Sequence, residues 1–420
     1  MKSKLILSGL AAMAFAASAH ADAIINVTGA TAFRKAAVDT ILASYGAGLT
    51  GVAQTGAAGT LSALQGATSS IFKGTFPGVS GVTIIRCTWT GSVEGIRDLA
   101  VPQNQVFLPV TALVSGGTAY TGPNASAGRY GVSAASESAP AKFAFSDVYA
   151  TTSPYDVSGL TDTPVGVIVF VAVANKGVSA NLTNVTTQSF KALAGAGFQK
   201  LSLLTGVATD TTNVYLTGRN DLSGTRTTQL AEGAYGISVP MQQWKPTVAS
   251  GVCSTLQLWP VGDGANASSV WNGDIAGNGG NSSGGTIATN LGSTTASVQL
   301  KNAAGSNIGT PKAVNYLSII GFSDSNTAVN TNGAKALSWN GVGVTPASAL
   351  SAGDTSKVTN GAYTMWGYEH FLYSGDLSAT EDQAFYDQIT GNIGANLGSA
   401  GVDISTMNVS RSDDGGLVGP

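Results

Sequence analysis

The chain has 420 residues, with 20 Lys and Arg against 23 Asp and Glu and a formal net charge of −3. That balance argues against nucleic acid and against an anionic membrane surface, both of which recruit basic patches. Two histidines and two cysteines leave almost no material for a His-based catalytic triad or a multi-His metal site, and no cofactor motif stands out.

Residues 1–21 read as a secretory leader: Lys2 and Lys4, an apolar run from Leu5 through Phe15, and Ala19-His20-Ala21 as a cleavage site. No Cys lies nearby to carry a lipid, and no later apolar stretch is long enough to span a bilayer, so the product is expected to be periplasmic or secreted. The 55 glycines and abundant Ser, Thr and Asn suit a turn-rich extracytoplasmic chain. Cys87 and Cys253 fit either one disulfide in an oxidising compartment or two separate buried thiols.

In chain order, residues 23–27 form a short apolar strand, Thr28 to Thr31 a turn, and the next residues a helix with apolar spacing up to Gly46. Residues 50–80 give no clear pattern. Residues 82–89 form a second strand that turns through Thr90-Gly91-Ser92 into a helix ending near Ala100. Residues 101–140 read as a surface-loop insertion, and 142–149 as a strand carrying Ser146 and Asp147. From Pro164 a continuous apolar run, VGVIVFVAVA, marks a strand buried on both faces.

Residues 183–195 read as a helix. Residues 213–229 compress a strand, a tight turn and a helix start into one segment, NVYLTGRNDLSGTRTTQ. Residues 262–310 read as loops with an edge strand near Val298 to Leu300. The GNGGNSSGG run at 277–285 reads as a flexible loop, since no Lys and no clear helix follow it. Residues 315–322 are a buried strand, 360–373 an aromatic-rich return strand and 379–392 a helix packing back on the start of the chain. His370, Trp366, Tyr368 and Phe371 read as core, and the tail from Arg411 to Pro420 as frayed.

The segment Arg219-Asn220-Asp221-Leu222-Ser223-Gly224-Thr225 resembles the R-x-D-x-S-G-T motif of PstS-type periplasmic phosphate-binding proteins, the receptors of ABC importers. Three weaker matches occur in the family's order. Thr28 to Phe33 resembles its G-A-T-F loop. Thr90-Gly91-Ser92-x-x-Gly95 resembles its G-S-G-x-G turn, with Val93 and Glu94 replacing small residues, and Phe145-Ser146-Asp147 resembles its F-x-x-S-D segment. The resemblance implies an α/β, two-domain class II periplasmic-binding-protein fold with a ligand cleft between domains. Domain I would combine residues 22–163 with 360–420, and domain II would be 164–359.

It also implies a ligand set. Thr31, Ala32 and Phe33 would offer a hydroxyl and backbone amides, Ser92 a hydroxyl and Asp147 a carboxylate, while Arg219, Ser223, Gly224 and Thr225 would supply the remainder. Helix N-termini aimed at one cleft suit a tetrahedral anion, because their first amides lack internal partners. Phosphate still carries a proton at neutral pH and can donate it to Asp147, whereas sulfate would leave that carboxylate repelled. Arg219 would pair with Asp147 in the empty site. The implied partners are inorganic phosphate and an ABC permease, with no nucleic acid, no metal and a monomeric state. Taken singly, each motif is equally an ordinary cap or turn, and a structural or surface-interaction role on the same fold stands as the alternative.

Overall fold

The structure, a computed structural model, describes residues 22–56, 60–101, 103–113, 118–119, 129–263, 271, 274–398 and 401–420. The expected leader at 1–21 lies outside them. Among the described residues no helix is long and apolar enough to cross a membrane.

The architecture is mixed α/β around one fifteen-stranded sheet. The elements that position the site are β1 (Ala23–Gly29), α1 (Arg34–Tyr45), β2 (Thr83–Thr88), α2 (Ser92–Ala100), β3 (Phe143–Ser146), β4 (Leu160–Ala174) and β5 (Asn213–Leu216). After these come α3 (Gly224–Glu232), α4 (Gly284–Leu291), β6 (Asn315–Gly321), β7 (Trp366–Ser374) and α5 (Thr380–Asn392). In the sheet β1 lies parallel between β2 and β3, and β5 lies parallel to β6. Parallel strands need long crossovers, and the helices that fill them cover the sheet.

The apolar run expected from Pro164 is the second half of β4, which joins the two parts of the sheet. Leu160 to Val169 pairs antiparallel with β7, and Phe170 to Ala174 pairs antiparallel with β6. Every residue from Val165 to Ala174 is buried, as a strand covered on both faces requires. Beside it, Phe143 stacks on Phe371 with centroids 5.2 Å apart, and Phe385 of α5 packs edge-on to Phe143 at 5.1 Å. Burial of each such ring contributes about 1.5–3 kcal/mol. Trp366, Tyr368, His370 and Phe371 are core residues, as their pattern implied.

Several loop assignments need correction. The unpatterned 50–80 region holds the strands Leu49–Gln54 and Ser69–Gly74, both in the main sheet. The supposed loop at 101–140 supplies a small ladder, Asn104–Phe107 on Glu137–Pro140, and the strand Arg129–Val132 pairs with Leu49–Gln54. The 262–310 segment contains α4, and Val298–Lys301 is not an edge strand, since it lies between Val252–Leu258 and Asn307–Lys312.

The tail is docked, not frayed. Arg411 is 5% exposed, stacks over Trp366 at 3.9 Å from the ring centroid and pairs with Glu232 at 3.1 Å. Asp414 accepts from Tyr149 N at 3.0 Å and from the Thr152 hydroxyl at 2.7 Å. Cys87 and Cys253 are both buried and free, which settles the two cysteines as separate thiols.

Candidate functional site

Four strand ends deliver their loops to one place. After β1, the Gly29 carbonyl accepts from Gly91 N at 2.9 Å and Ala30 N donates to the Phe145 carbonyl at 2.8 Å. Val93 N donates to the Leu222 carbonyl at 3.1 Å. The loops that follow β1, β2 and β5 are therefore tied to one another through their backbones, and the first of them is pinned to β3 itself. Gly91 permits this approach, since it sits at φ 130° and a Cβ there would run into the Leu222 carbonyl.

Three helices open at this junction, and none has a side-chain cap. The N-cap positions are Phe33 for α1, Gly91 for α2 and Ser223 for α3. Elsewhere α4 is capped by Ser283, and the helices Thr187–Ala196 and Ala352–Thr359 by Thr186 and Ser351, while α5 is likewise without a side-chain cap. Ser223 is a preferred capping type, yet its Oγ is buried and has no protein partner. The positive ends of α1 and α3 are thus left available to a negative group, whereas in α2 Val93 N and Glu94 N already donate to the Leu222 carbonyl.

The negative group that meets α3 is Asp147. A Cβ added at Gly224 would lie 2.7 Å from Asp147 Oδ1 and 2.6 Å from Ser92 Oγ, so the glycine is what admits them. The Ser92 hydroxyl donates to Asp147 Oδ1, and the Thr225 hydroxyl to Oδ2 at 3.3 Å. Ser146 aims this side chain: its hydroxyl donates to the Val148 carbonyl at 2.7 Å and accepts from Val148 N at 3.2 Å, closing a tight turn around Asp147. Burial pushes the Asp147 carboxyl upward, and the charge of Arg219 opposes that shift.

Arg219 differs from expectation. Its guanidinium donates to the Asn281 carbonyl at 3.1 Å and the Ser282 carbonyl at 2.9 Å, and Asp147 acts on it only through space. The GNGGNSSGG run is accordingly a wall rather than a flexible loop. Asn278 holds Arg226 through its carbonyl at 2.6 Å, and Asn281 N donates to the Gly218 carbonyl at 2.8 Å. Burial brings the Arg219 guanidinium down to about 10, against the pull of Asp147 and Asp324.

Ser92, Asp147, Arg219, Ser223, Gly224 and Thr225 are all buried. Open space lies immediately beside them, in a cavity of about 700 Å³ whose wall includes Thr31, Arg34, Thr90, Asn220, Ser283 and Asp324. Of the α1 loop, Thr31 reaches this cavity, Ala32 is half-buried, and the Phe33 ring is buried 6.0 Å from Phe145, leaving only its backbone for a ligand.

Sequence reasoning missed Arg34 and Asp324. Arg34 opens α1 directly after Phe33, and Asp324 follows β6 as Asp147 follows β3, so position after a strand was the available signal. Burial raises the Asp324 carboxyl, with Arg34 and then Arg219 opposing. A further buried acid, Glu369, has both carboxyl oxygens without a protein partner, and burial followed by the Asp147 charge holds its carboxyl well above the usual range. The surroundings are therefore richer in carboxyls than in guanidinium groups.

No family model and no curated protein matches the chain. Solved structures align along most of it at low identity. An ABC-type phosphate transport receptor from Vibrio cholerae is 11% identical, covers 89% of this chain and 97% of its own, and has a TM-score of 0.42. A putative phosphate ABC transporter substrate-binding protein with bound phosphate from Clostridium perfringens is 12% identical, with 91% and 99% covered and a TM-score of 0.41. PstS from Borrelia burgdorferi is 12% identical, with 91% and 100% covered and a TM-score of 0.37.

Proposed function

We propose that this chain is an extracytoplasmic binding protein that captures inorganic phosphate, or a similar tetrahedral oxyanion, and delivers it as a monomer to an ABC permease. Two domains, residues 22–163 with 360–420 and residues 164–359, would close on the anion. No bond is made or broken. The single observation that carries the reading is that the uncapped start of α3 and the Ser92 and Thr225 hydroxyls meet around a buried negative group. A carboxylate already satisfied by these donors is a fair mimic of an oxyanion.

Phosphate takes that position as the Asp147 carboxylate withdraws from Gly224. Thr31, the backbone of Ala32 and Phe33, Ser92, Ser223, Gly224 and Thr225 surround the anion, and Arg219 supplies the positive charge. Asp147 then accepts the proton that phosphate retains and sulfate lacks, so selectivity comes from repulsion of the wrong ion. Equilibrium dialysis against radiolabelled phosphate tests this. Micromolar retention that survives excess sulfate is expected, and absence of retention at high protein concentration contradicts it.

One observation favours a second reading, a structural or surface-interaction protein on the same fold. Asp147 fills the α3 cradle, Glu94 and Glu369 add further buried carboxyls, and Asp324 adds a half-buried one at the cavity wall. The same dialysis separates the two, since this reading predicts no retention.

A further inference from the structure

The C-terminal tail lies against two of the elements that build the proposed phosphate site. Residues 410–419 close on themselves, since Ser410 N donates to the Gly419 carbonyl at 2.7 Å and Gly419 N to the Ser410 carbonyl at 3.0 Å. On one side this loop holds the turn after β3. Tyr149 N and the Thr152 hydroxyl both donate to Asp414 Oδ2, at 3.0 and 2.7 Å, and the Tyr149 hydroxyl donates to the Arg411 carbonyl at 2.9 Å. On the other side it holds the C-terminal end of α3. Arg411 pairs with Glu232 at 3.1 Å, and Gly415, at φ 70°, lies so close to Ala231 that a Cβ there would strike its backbone.

These contacts close a circuit. Asp147 sits two residues before Tyr149, and its carboxylate rests on Gly224, the first residue of α3. The helix has nine residues and a length of ~13 Å. The Asp147 turn is therefore tied to α3 twice, at the first turn of the helix by its own carboxylate and at the last turn by the tail. In the proposed function phosphate replaces that carboxylate at Gly224, so the first tie yields and the second remains. Under the proposed division into domains, the Asp147 turn and the tail belong to one domain and α3 to the other, so the second tie crosses between them.

We infer that residues 411–415 are a strap that holds the site in its binding-competent arrangement, with Asp414 as the positioning residue that attaches it to the Asp147 turn. Asp414 lies outside the ligand set. Its effect reaches the site through the Tyr149 and Thr152 hydrogen bonds, which raise the share of molecules whose Asp147 turn and α3 start already face each other. The inference rests on the proposed phosphate site and adds a determinant of its affinity.

The test is calorimetric titration of inorganic phosphate into the full chain, as wild type, Asp414→Ala and Asp414→Asn, well below their melting temperatures, so that lost stability alone does not move the result. Asp414→Ala removes both hydrogen bonds and should weaken phosphate by about fivefold or more. Asp414→Asn keeps a carbonyl oxygen for Tyr149 and Thr152 and should stay within about twofold of the wild type. Hydrogen exchange on the wild-type chain supplies a readout that does not depend on the variants folding. Because coupling is reciprocal, saturating phosphate should slow exchange at the Tyr149 amide by about the same factor. An Asp414→Ala affinity equal to that of the wild type, or a Tyr149 amide indifferent to phosphate, overturns the strap and leaves the phosphate site intact. Absence of phosphate binding by the wild type overturns both.

Discussion

Asp147 rests against Gly224 at the first turn of α3, where its carboxylate takes the hydroxyls of Ser92 and Thr225. The contact joins a loop after β3 to a helix after β5, so it is a tertiary link as well as a charge placed at a helix N-terminus.

Adding a methyl group at Gly224 should break that link. In Gly224→Ala the new Cβ falls 2.6 Å from Ser92 Oγ and 2.7 Å from Asp147 Oδ1, both on buried side chains. Overpacking of this kind costs about 1–3 kcal/mol, to be read from urea unfolding followed by circular dichroism. An unchanged midpoint would mean that the carboxylate lies elsewhere.

Asp147→Asn removes the element proposed to reject sulfate. The amide offers a donor to either ion, so the preference for phosphate over sulfate should fall by about tenfold or more in competition dialysis. Undiminished selectivity would remove Asp147 from that role.

Glu94 gives the chain a pH dependence of known sign. Burial first, then Asp98, raises its carboxyl to about 7 from 4.5, with Arg97 opposing. Below the unfolded value the group is protonated in both states and its contribution to stability is fully present. That contribution is lost as pH rises through about 7. The loss is of order 2–3 kcal/mol between mildly acidic and mildly alkaline buffer. Asp98, Asp147 and Asp324 are shifted the same way, so the informative quantity is the difference between the wild type and Glu94→Gln. The variant should lose part of the decline in its denaturation midpoints; a decline equal to that of the wild type counts against the assignment.

The docked tail makes Arg411 a structural residue. It stacks on Trp366, pairs with Glu232 and donates to the Thr364 carbonyl at 2.9 Å. Arg411→Ala leaves a mostly buried Glu232 carboxylate without its partner, at a cost of about 2–4 kcal/mol. A thermal melt that does not move would return the tail to the frayed state its sequence suggested.

The alternation of strand, turn and helix was legible because it is written locally. Val165 to Ala174 is apolar throughout, and α2 spans the very segment, Ser92 to Ala100, that its pattern marked. The motifs also named residues that meet in space, since Ser92, Asp147, Gly224 and Thr225 come into contact. What stayed hidden depends on distant partners. Residues 277–283 look flexible by composition, but their carbonyls receive Arg219 and Arg226, and no local pattern encodes that. The same holds for Arg411 on Trp366, and for Arg34 and Asp324, whose significance comes from facing the same cavity.

The central claim is that the junction of α1, α2 and α3 receives a tetrahedral oxyanion held by Arg219. Isothermal titration of phosphate into the wild-type chain and into Arg219→Ala, both confirmed folded, tests it most directly. Saturable micromolar binding that Arg219→Ala weakens by about a hundredfold is predicted, the effect of losing a buried charged donor. Equal binding by both proteins, or no heat from the wild type, contradicts it.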